Sequence, residues 1–328
     1  MKTMFRVACM GALLPALALA AQAPVPGAGK APSNALFASP THLDRVGRIV
    51  VPVMIDGKGP FRFLVDTGAD GSMISPALVH TLGLVPSQTG IEQVEGTTGT
   101  EQLPWVTIDT LRIGAIVKHD LRMPISHTPV LIGLDGILGL AGFGAVRVVV
   151  DFRSNRVAID RSSAGWPRGY LDIHARRTPG GLLMIPARVG DIRVEAVIDT
   201  GAAETLGNAA LRRALLRAAR NPANARIYGV TRQVTRGGIS ASPTIYLGPA
   251  AIRGLGIVYS HIPIFRIWHL DSRPALIIGM NVLGSVDALV LDYPRARVYL
   301  RPTAPKGLSS AGINDVFFPD PGFNDGGG

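Results

Sequence analysis

Two aspartates stand where aspartates are seldom found. Asp66 ends the apolar run Phe63-Leu64-Val65, and Asp199 ends Ala196-Val197-Ile198, 133 positions later (199 − 66). A carboxylate closing a buried strand needs a partner, because an unpaired charge is not tolerated away from water. The same departure occurring twice suggests that each aspartate is the other's partner. Two carboxyls sharing one site cannot both ionise readily, so the pair keeps a proton and holds an acid and a base together. The base can take a proton from a water lying between them while the acid polarises an amide carbonyl. That chemistry uses no covalent enzyme adduct, no metal and no other cofactor.

The neighbouring residues suit the task. Thr67-Gly68-Ala69 follows Asp66 and Thr200-Gly201-Ala202 follows Asp199. Glycine lets backbone N–H groups come close to a carboxylate, and the threonine hydroxyls can reach across an interface to lock two loops. The surrounding pattern is duplicated as well. A hairpin with a proline (Pro52, Pro186) precedes each aspartate, and a short helix follows, Pro76 to Gly83 and Ala209 to Arg220. Polar hairpin tips come next, at Gly96-Thr97-Thr98-Gly99 and from Tyr228-Gly229 to Gly238. Their low apolar content predicts poor core and mobile covers. Each half then closes with an aliphatic pair and glycine (Ile137-Leu138-Gly139, Ile277-Ile278-Gly279) and an Asp-aromatic turn (Asp151-Phe152, Asp292-Tyr293). The fold class expected is all-β, two pseudo-symmetric β-barrel lobes with short helices. The lobes span 41–160 and 175–302, joined by a linker at 161–174, with a flexible segment at 21–40 and a disordered tail at 303–328.

Composition bounds the rest. The 328 residues are 47% hydrophobic and 17% charged, enough for two cores, and the 39 glycines and 25 prolines suit strands and turns. Met1 to Ala20 reads as a secretory signal: Lys2 and Arg6, an apolar run, then Ala18-Leu19-Ala20 as a cleavage site. The protein is therefore expected to be exported, periplasmic or secreted, without stable membrane insertion. Cleavage lowers the net charge from +10 to +8 (33 − 2 − 23) and removes Cys9, the single cysteine. Scattered arginines without interleaved aromatics argue against nucleic acid as a partner. The seven histidines show no metal-binding spacing, and no Gly-x-Ser-x-Gly elbow is present.

Val65-Asp66-Thr67-Gly68-Ala69-Asp70 and Ile198-Asp199-Thr200-Gly201-Ala202 resemble the active-site motif of retropepsin-like aspartic proteases. Ile137-Leu138-Gly139 and Ile277-Ile278-Gly279 resemble that family's second signature. The resemblance covers both lobes and implies a tandem arrangement, pepsin-like in layout and monomeric. It implies Asp66 and Asp199 as the catalytic dyad of an endopeptidase acting on peptide or protein substrates. Asp70 matches a position that contacts substrate main chain; Ala203 does not preserve it. Gly96, Thr97, Thr98, Tyr228 and Gly229 are the expected flap contacts to substrate. Two departures stand out. Ala69 and Ala202 replace the usual Ser or Thr, which predicts a mildly acidic to near-neutral optimum. The first flap lacks the pepsin-type tyrosine, for which Tyr228 and Trp105 are candidate substitutes. The alternative is a non-catalytic peptide-binding module of the same fold.

Overall fold

A computed structural model describes residues 4–7, 11–12, 35–40, 42–43, 47–88, 90–140, 143, 146–162, 168–178, 180–215 and 223–303. In the first lobe the strand Ile49–Ile55 runs antiparallel to Lys58–Asp66, with Val51 opposite Phe63. Alternation divides their side chains between two cores. Val51, Val53, Phe63 and Val65 face the main one, and Val50 and Leu64 a second one under the flap. With both faces covered, Lys58–Asp66 delivers Asp66 into a wholly buried position.

The strand Gly136–Gly139 fixes that position. It pairs in parallel with Lys58–Asp66, Gly136 opposite Phe63 and Gly139 opposite Asp66, and antiparallel with Met73–Ile74. The second lobe repeats the device: Ala275–Ile278 runs parallel to Ile192–Ile198 and antiparallel to Leu206–Gly207. The glycine ending each aliphatic pair has a steric reason. A Cβ at Gly139 would collide with the backbone of Gly71, and one at Gly279 would lie 2.5 Å from the Glu204 carbonyl carbon. Ser72 and Thr205 accept from the N–H groups of Gly139 and Gly279, at 3.3 and 3.1 Å.

The lobes are joined by a six-stranded antiparallel sheet, in the order Leu171–His174, Arg297–Arg301, Ala288–Asp292, Val146–Asp151, Arg156–Arg161, Ala35–Pro40. Its central ladder sets Val149 opposite Val290. Across it runs a buried ion pair, Arg147 Nη2 to Asp292 Oδ2 at 2.6 Å, with Nε adding a second bond at 3.0 Å. This sheet corrects the expected boundaries. Ala35–Pro40 was assigned to the flexible lead and Leu171–His174 to the linker, yet each is the outer strand on its lobe's side of the sheet. Ala35–Pro40 carries no clear alternating pattern and is held by backbone pairing, while Leu171–His174 alternates apolar and polar residues over only four positions.

The helix Pro76–Leu82 is capped by Ser75, whose hydroxyl accepts from Leu78 N–H, and ended by Gly83 in the left-handed region (φ 69). The helix Ala209–Ala214 is capped by Asn208. Its expected extension to Arg220 lies outside the described residues beyond Leu215, as does the expected disordered tail beyond Thr303. Near the start of the chain, Met4–Val7 runs parallel to the flap strand Ile91–Gly96, and Gly11–Ala12 antiparallel to Ala223–Tyr228. No helix among the described residues is long and apolar enough to cross a membrane.

Candidate active site

Asp66 and Asp199 end equivalent strands, and the two strand ends meet between the lobes. Each carboxylate is held by its own loop: Gly68 N–H donates to Asp66 Oδ1 at 2.8 Å, and Gly201 N–H to Asp199 Oδ1 at 2.8 Å. Ala202 N–H adds a bond to Asp199 Oδ1 at 3.1 Å. Each carboxylate is also pressed by the opposite loop. A Cβ at Gly68 would lie 2.5 Å from Asp199 Cγ, and one at Gly201 2.5 Å from Asp66 Cγ. Only glycine allows the loops to pass so near the opposing acid.

The threonines lock this arrangement reciprocally. Thr67 Oγ1 donates to Ile198 O at 3.0 Å and accepts from Thr200 N–H at 3.0 Å. Thr200 Oγ1 donates to Val65 O at 2.8 Å and accepts from Thr67 N–H at 3.2 Å. Every hydroxyl is used as donor and acceptor, and both threonines are buried.

Burial pushes the Asp199 carboxyl well above the usual carboxylate range, the negative charge of Asp66 adds to the rise, and the N–H bonds from Gly201 and Ala202 oppose it. A proton is therefore retained on this site well above the pH at which a free aspartic acid ionises.

The flaps close over the dyad and touch. The first is the hairpin Ile91–Gly96 and Gly99–Ile113, the second Ala223–Tyr228 and Val234–Ala241. Thr98 Oγ1 lies 3.0 Å from Thr231 Oγ1. Arg232 N–H donates to Glu101 Oε2 at 2.8 Å, and its guanidinium pairs with Glu101 Oε1. Beneath, Ser126 Oγ donates to Val230 O at 2.7 Å, and Thr128 Oγ1 donates to Gly229 O. The expectation of poorly packed tips is thus overturned. Thr97, Thr98, Val230 and Thr231 are all buried; cross-lobe bonds engage the hydroxyls of Thr98 and Thr231 and the carbonyl of Val230, whereas Thr97 Oγ1 has no partner among the described residues.

Among the other expected contacts, Gly96 and Gly229 sit at this junction: Cβ atoms there would lie 2.8 Å from Val230 Cγ2 and 2.7 Å from Thr98 Oγ1. Tyr228 packs on the apolar cluster below the first flap. Asp70 is half-buried near Gly180, where a Cβ would stand 3.4 Å from its Oδ2. Trp105 lies along the flap strand, away from its tip, with the Arg122 guanidinium 4.6 Å from its ring centroid; its role there is packing. Sequence reasoning missed Glu101, Ser126, Thr128 and Arg232. Their partners lie 101 to 131 positions away, so no local pattern could reveal them.

Residues 51–141 match a family model described as aspartyl protease, a span that runs from the hairpin before Asp66 through Ile137-Leu138-Gly139. No curated protein matches the chain. The matched span is thus similar to an aspartyl protease domain, and the all-β fold fits such a protease. The second lobe lies outside the matched span and is tied to the first by the duplicated strands, loops and flaps described above.

Proposed function

We propose that the chain is an aspartic endopeptidase that hydrolyses peptide bonds in an extended substrate bound between its lobes, with Asp66 and Asp199 as its dyad. The observation that carries this reading is the mutual burial of the two carboxyls at the meeting point of equivalent loops, where burial and the charge of Asp66 hold a proton on Asp199. A water bridging the carboxyls gives one proton to the ionised member while its oxygen adds to the substrate carbonyl carbon. The protonated member gives its proton to the carbonyl oxygen, and a gem-diol forms. One hydroxyl then returns its proton to the dyad as the C–N bond breaks, and the other carboxyl protonates the departing amine. The proton count of the pair is restored, and no metal or cofactor enters. The leader Met1–Ala20 supports export, which would place the enzyme among periplasmic or extracellular peptides.

The test is cleavage of a mixed peptide library by the wild type and by Asp66→Asn and Asp199→Asn. Each substitution removes the shared-proton acid–base pair and is expected to lower turnover by at least ~10³-fold with folding retained. A wild type that binds peptides yet cleaves none would support the non-catalytic alternative. Ala69 and Ala202 are buried beside the dyad and offer no hydroxyl to lower a carboxyl pKa. The optimum is accordingly expected to be mildly acidic to near neutral, and a peak below about pH 3, under the free aspartate value, would contradict this.

A further inference from the structure

One face of the second lobe's hairpin carries an unbalanced charge. The strands Leu183–Val189 and Ile192–Ile198 turn Ile185, Ala187, Val194 and Ala196 into the core, which leaves Pro186, Arg188, Arg193 and Glu195 on the opposite face. The ladder sets Arg188 directly opposite Arg193, and like charges so placed are destabilising. The Arg188 guanidinium lies 4.4 Å from the Tyr246 ring centroid, and no carboxylate among the described residues pairs with either arginine. The nearby acid, Glu195, is shared by Arg176 and Arg273. These four guanidinium groups and one carboxylate surround a cavity of about 610 Å³, lined between them by Met184, Pro186 and Tyr246. Neither active-site loop and neither flap tip contributes to that lining. The groove is therefore an apolar surface under an excess of positive charge, remote from the dyad loops.

We propose that this groove is the docking site for the chain's own acidic, phenylalanine-rich segment Asn314-Asp315-Val316-Phe317-Phe318-Pro319-Asp320-Pro321-Gly322-Phe323-Asn324-Asp325. The chain as a whole carries +10, yet no lysine or arginine follows Lys306, and three aspartates and three phenylalanines fall within these few positions. The aspartates complement Arg188 and Arg193 through charge-assisted hydrogen bonds, which relieves the repulsion across the ladder. The phenyl rings cover the apolar lining and offer faces to the guanidinium groups. Connection favours this occupant as well. The chain leaves the fold through Arg297–Arg301, which pairs with Leu171–His174, and His174 itself lines the groove. Leu171 lies opposite Leu300, so His174 is only about 10 Å further along the strand. The residues from Thr303 to Asp315 can span up to about 40 Å, which is ample. Attachment also supplies an effective concentration on the order of millimolar, so modest affinity suffices for docking. The proposal does not depend on the endopeptidase reading.

The experiment titrates a fluorescent synthetic peptide of residues 311–328 against the full chain, with Asp199→Asn in every protein so that the probe is not cut. In this parent the attached segment competes with the probe. Replacing Asp315, Asp320 and Asp325 together by Asn weakens the competitor, and the probe is expected to bind roughly tenfold tighter. Its affinity for that variant should fall as salt is raised. Adding Arg188→Glu and Arg193→Glu should abolish probe binding. Should that charge reversal impair folding, Arg188→Gln with Arg193→Gln is expected to weaken the probe at least ~10-fold. Probe binding that ignores the arginine substitutions overturns the proposal. Equal, arginine-dependent affinity for the parent and the Asn variant also overturns it, and would assign the groove to an acidic partner in trans. Peptide cleavage enters none of these readouts, so a wild type without protease activity would sink the endopeptidase reading and leave the docking site standing.

Discussion

The hydroxyls of Thr98 and Thr231 lie 3.0 Å apart, and the two residues are separated by the same 133 positions as Thr67 and Thr200. Equivalent residues that touch each other must lie on the axis relating the lobes. The threonines below the dyad and those above it therefore mark one line, with Asp66 and Asp199 flanking it. The symmetry is functional geometry: whatever positions one carboxyl also positions its counterpart.

The close passage of each loop over the opposing acid should not survive an added methyl. Gly68→Ala would set a carbon 2.5 Å from Asp199 Cγ, while the Gly68 N–H must stay bonded to Asp66. The expected result is a loss of turnover of about 10²-fold or more, as for a reacting group displaced by ~1 Å. Overpacking should lower stability by about 1–3 kcal/mol. Steady-state kinetics and thermal melts check both, and wild-type turnover in this variant would show that the loops can give.

Thr67→Val keeps the side chain's shape and deletes its hydroxyl. Ile198 O then loses a donor and Thr200 N–H an acceptor, both in a buried interface. The expected destabilisation is about 2–4 kcal/mol. Thr200→Val should behave similarly, and the double variant should fall short of the sum, because the two hydroxyls belong to one network. Urea denaturation of the three variants measures the coupling.

Arg147 and Asp292 form a buried pair across the lobe interface. Arg147→Met leaves the carboxylate without its nearest cation, and the expected cost is about 3–5 kcal/mol. Ser162 Oγ and Arg295 N–H still donate to Asp292 Oδ1, which favours the lower end of that range. Adding Asp292→Leu should recover much of the loss, since an apolar pair requires no desolvation of charge. Failure of the second substitution to recover stability would assign Asp292 to the Ser162 and Arg295 contacts instead.

The raised Asp199 carboxyl gives stability a definite sign with pH. The folded protein keeps a proton on it above the ordinary value of 3.8, where the unfolded chain has released it. Its stabilising contribution is complete below about pH 4 and is lost as pH rises through the raised value, with a slope of up to ~1.4 kcal/mol per pH unit. Asp199→Asn cannot ionise, so its stability relative to the wild type should grow as pH climbs from 4 toward 8. Urea midpoints for both proteins across that range decide it; a wild type that gains on the variant with rising pH contradicts the assignment.

Much of the architecture was readable from the chain because two copies constrain one another. Aspartate at the end of an aliphatic run is odd once and informative twice, and the glycine after each aliphatic pair marks the repeat, though its steric reason at Gly139 and Gly279 shows only in the fold. The outer strands of the joining sheet were not readable: Ala35–Pro40 has no periodicity, and its place is set by pairing with Arg156–Arg161. The flap tips misled for a different reason. Thr98 and Thr231 are polar by composition, and composition cannot show that each finds its partner on the other lobe. Arg147 was a signal passed over, a lone cation in the apolar strand Val146–Asp151, which buries it only because Asp292 lies opposite.

The joining sheet bears on how such a chain can be divided. Val149 faces its own counterpart, so a free-standing N-terminal half offers an edge whose complement is a second copy of itself. In that self-pairing Arg147 would face Asp151, keeping a cation opposite an acid. Two C-terminal halves would instead set Ala288 against Asp292, leaving the latter only Arg295, whose Nε stands 3.9 Å away in the intact chain. The capacity for self-association is therefore lopsided: one half carries the guanidinium that the other must borrow from its covalent neighbour.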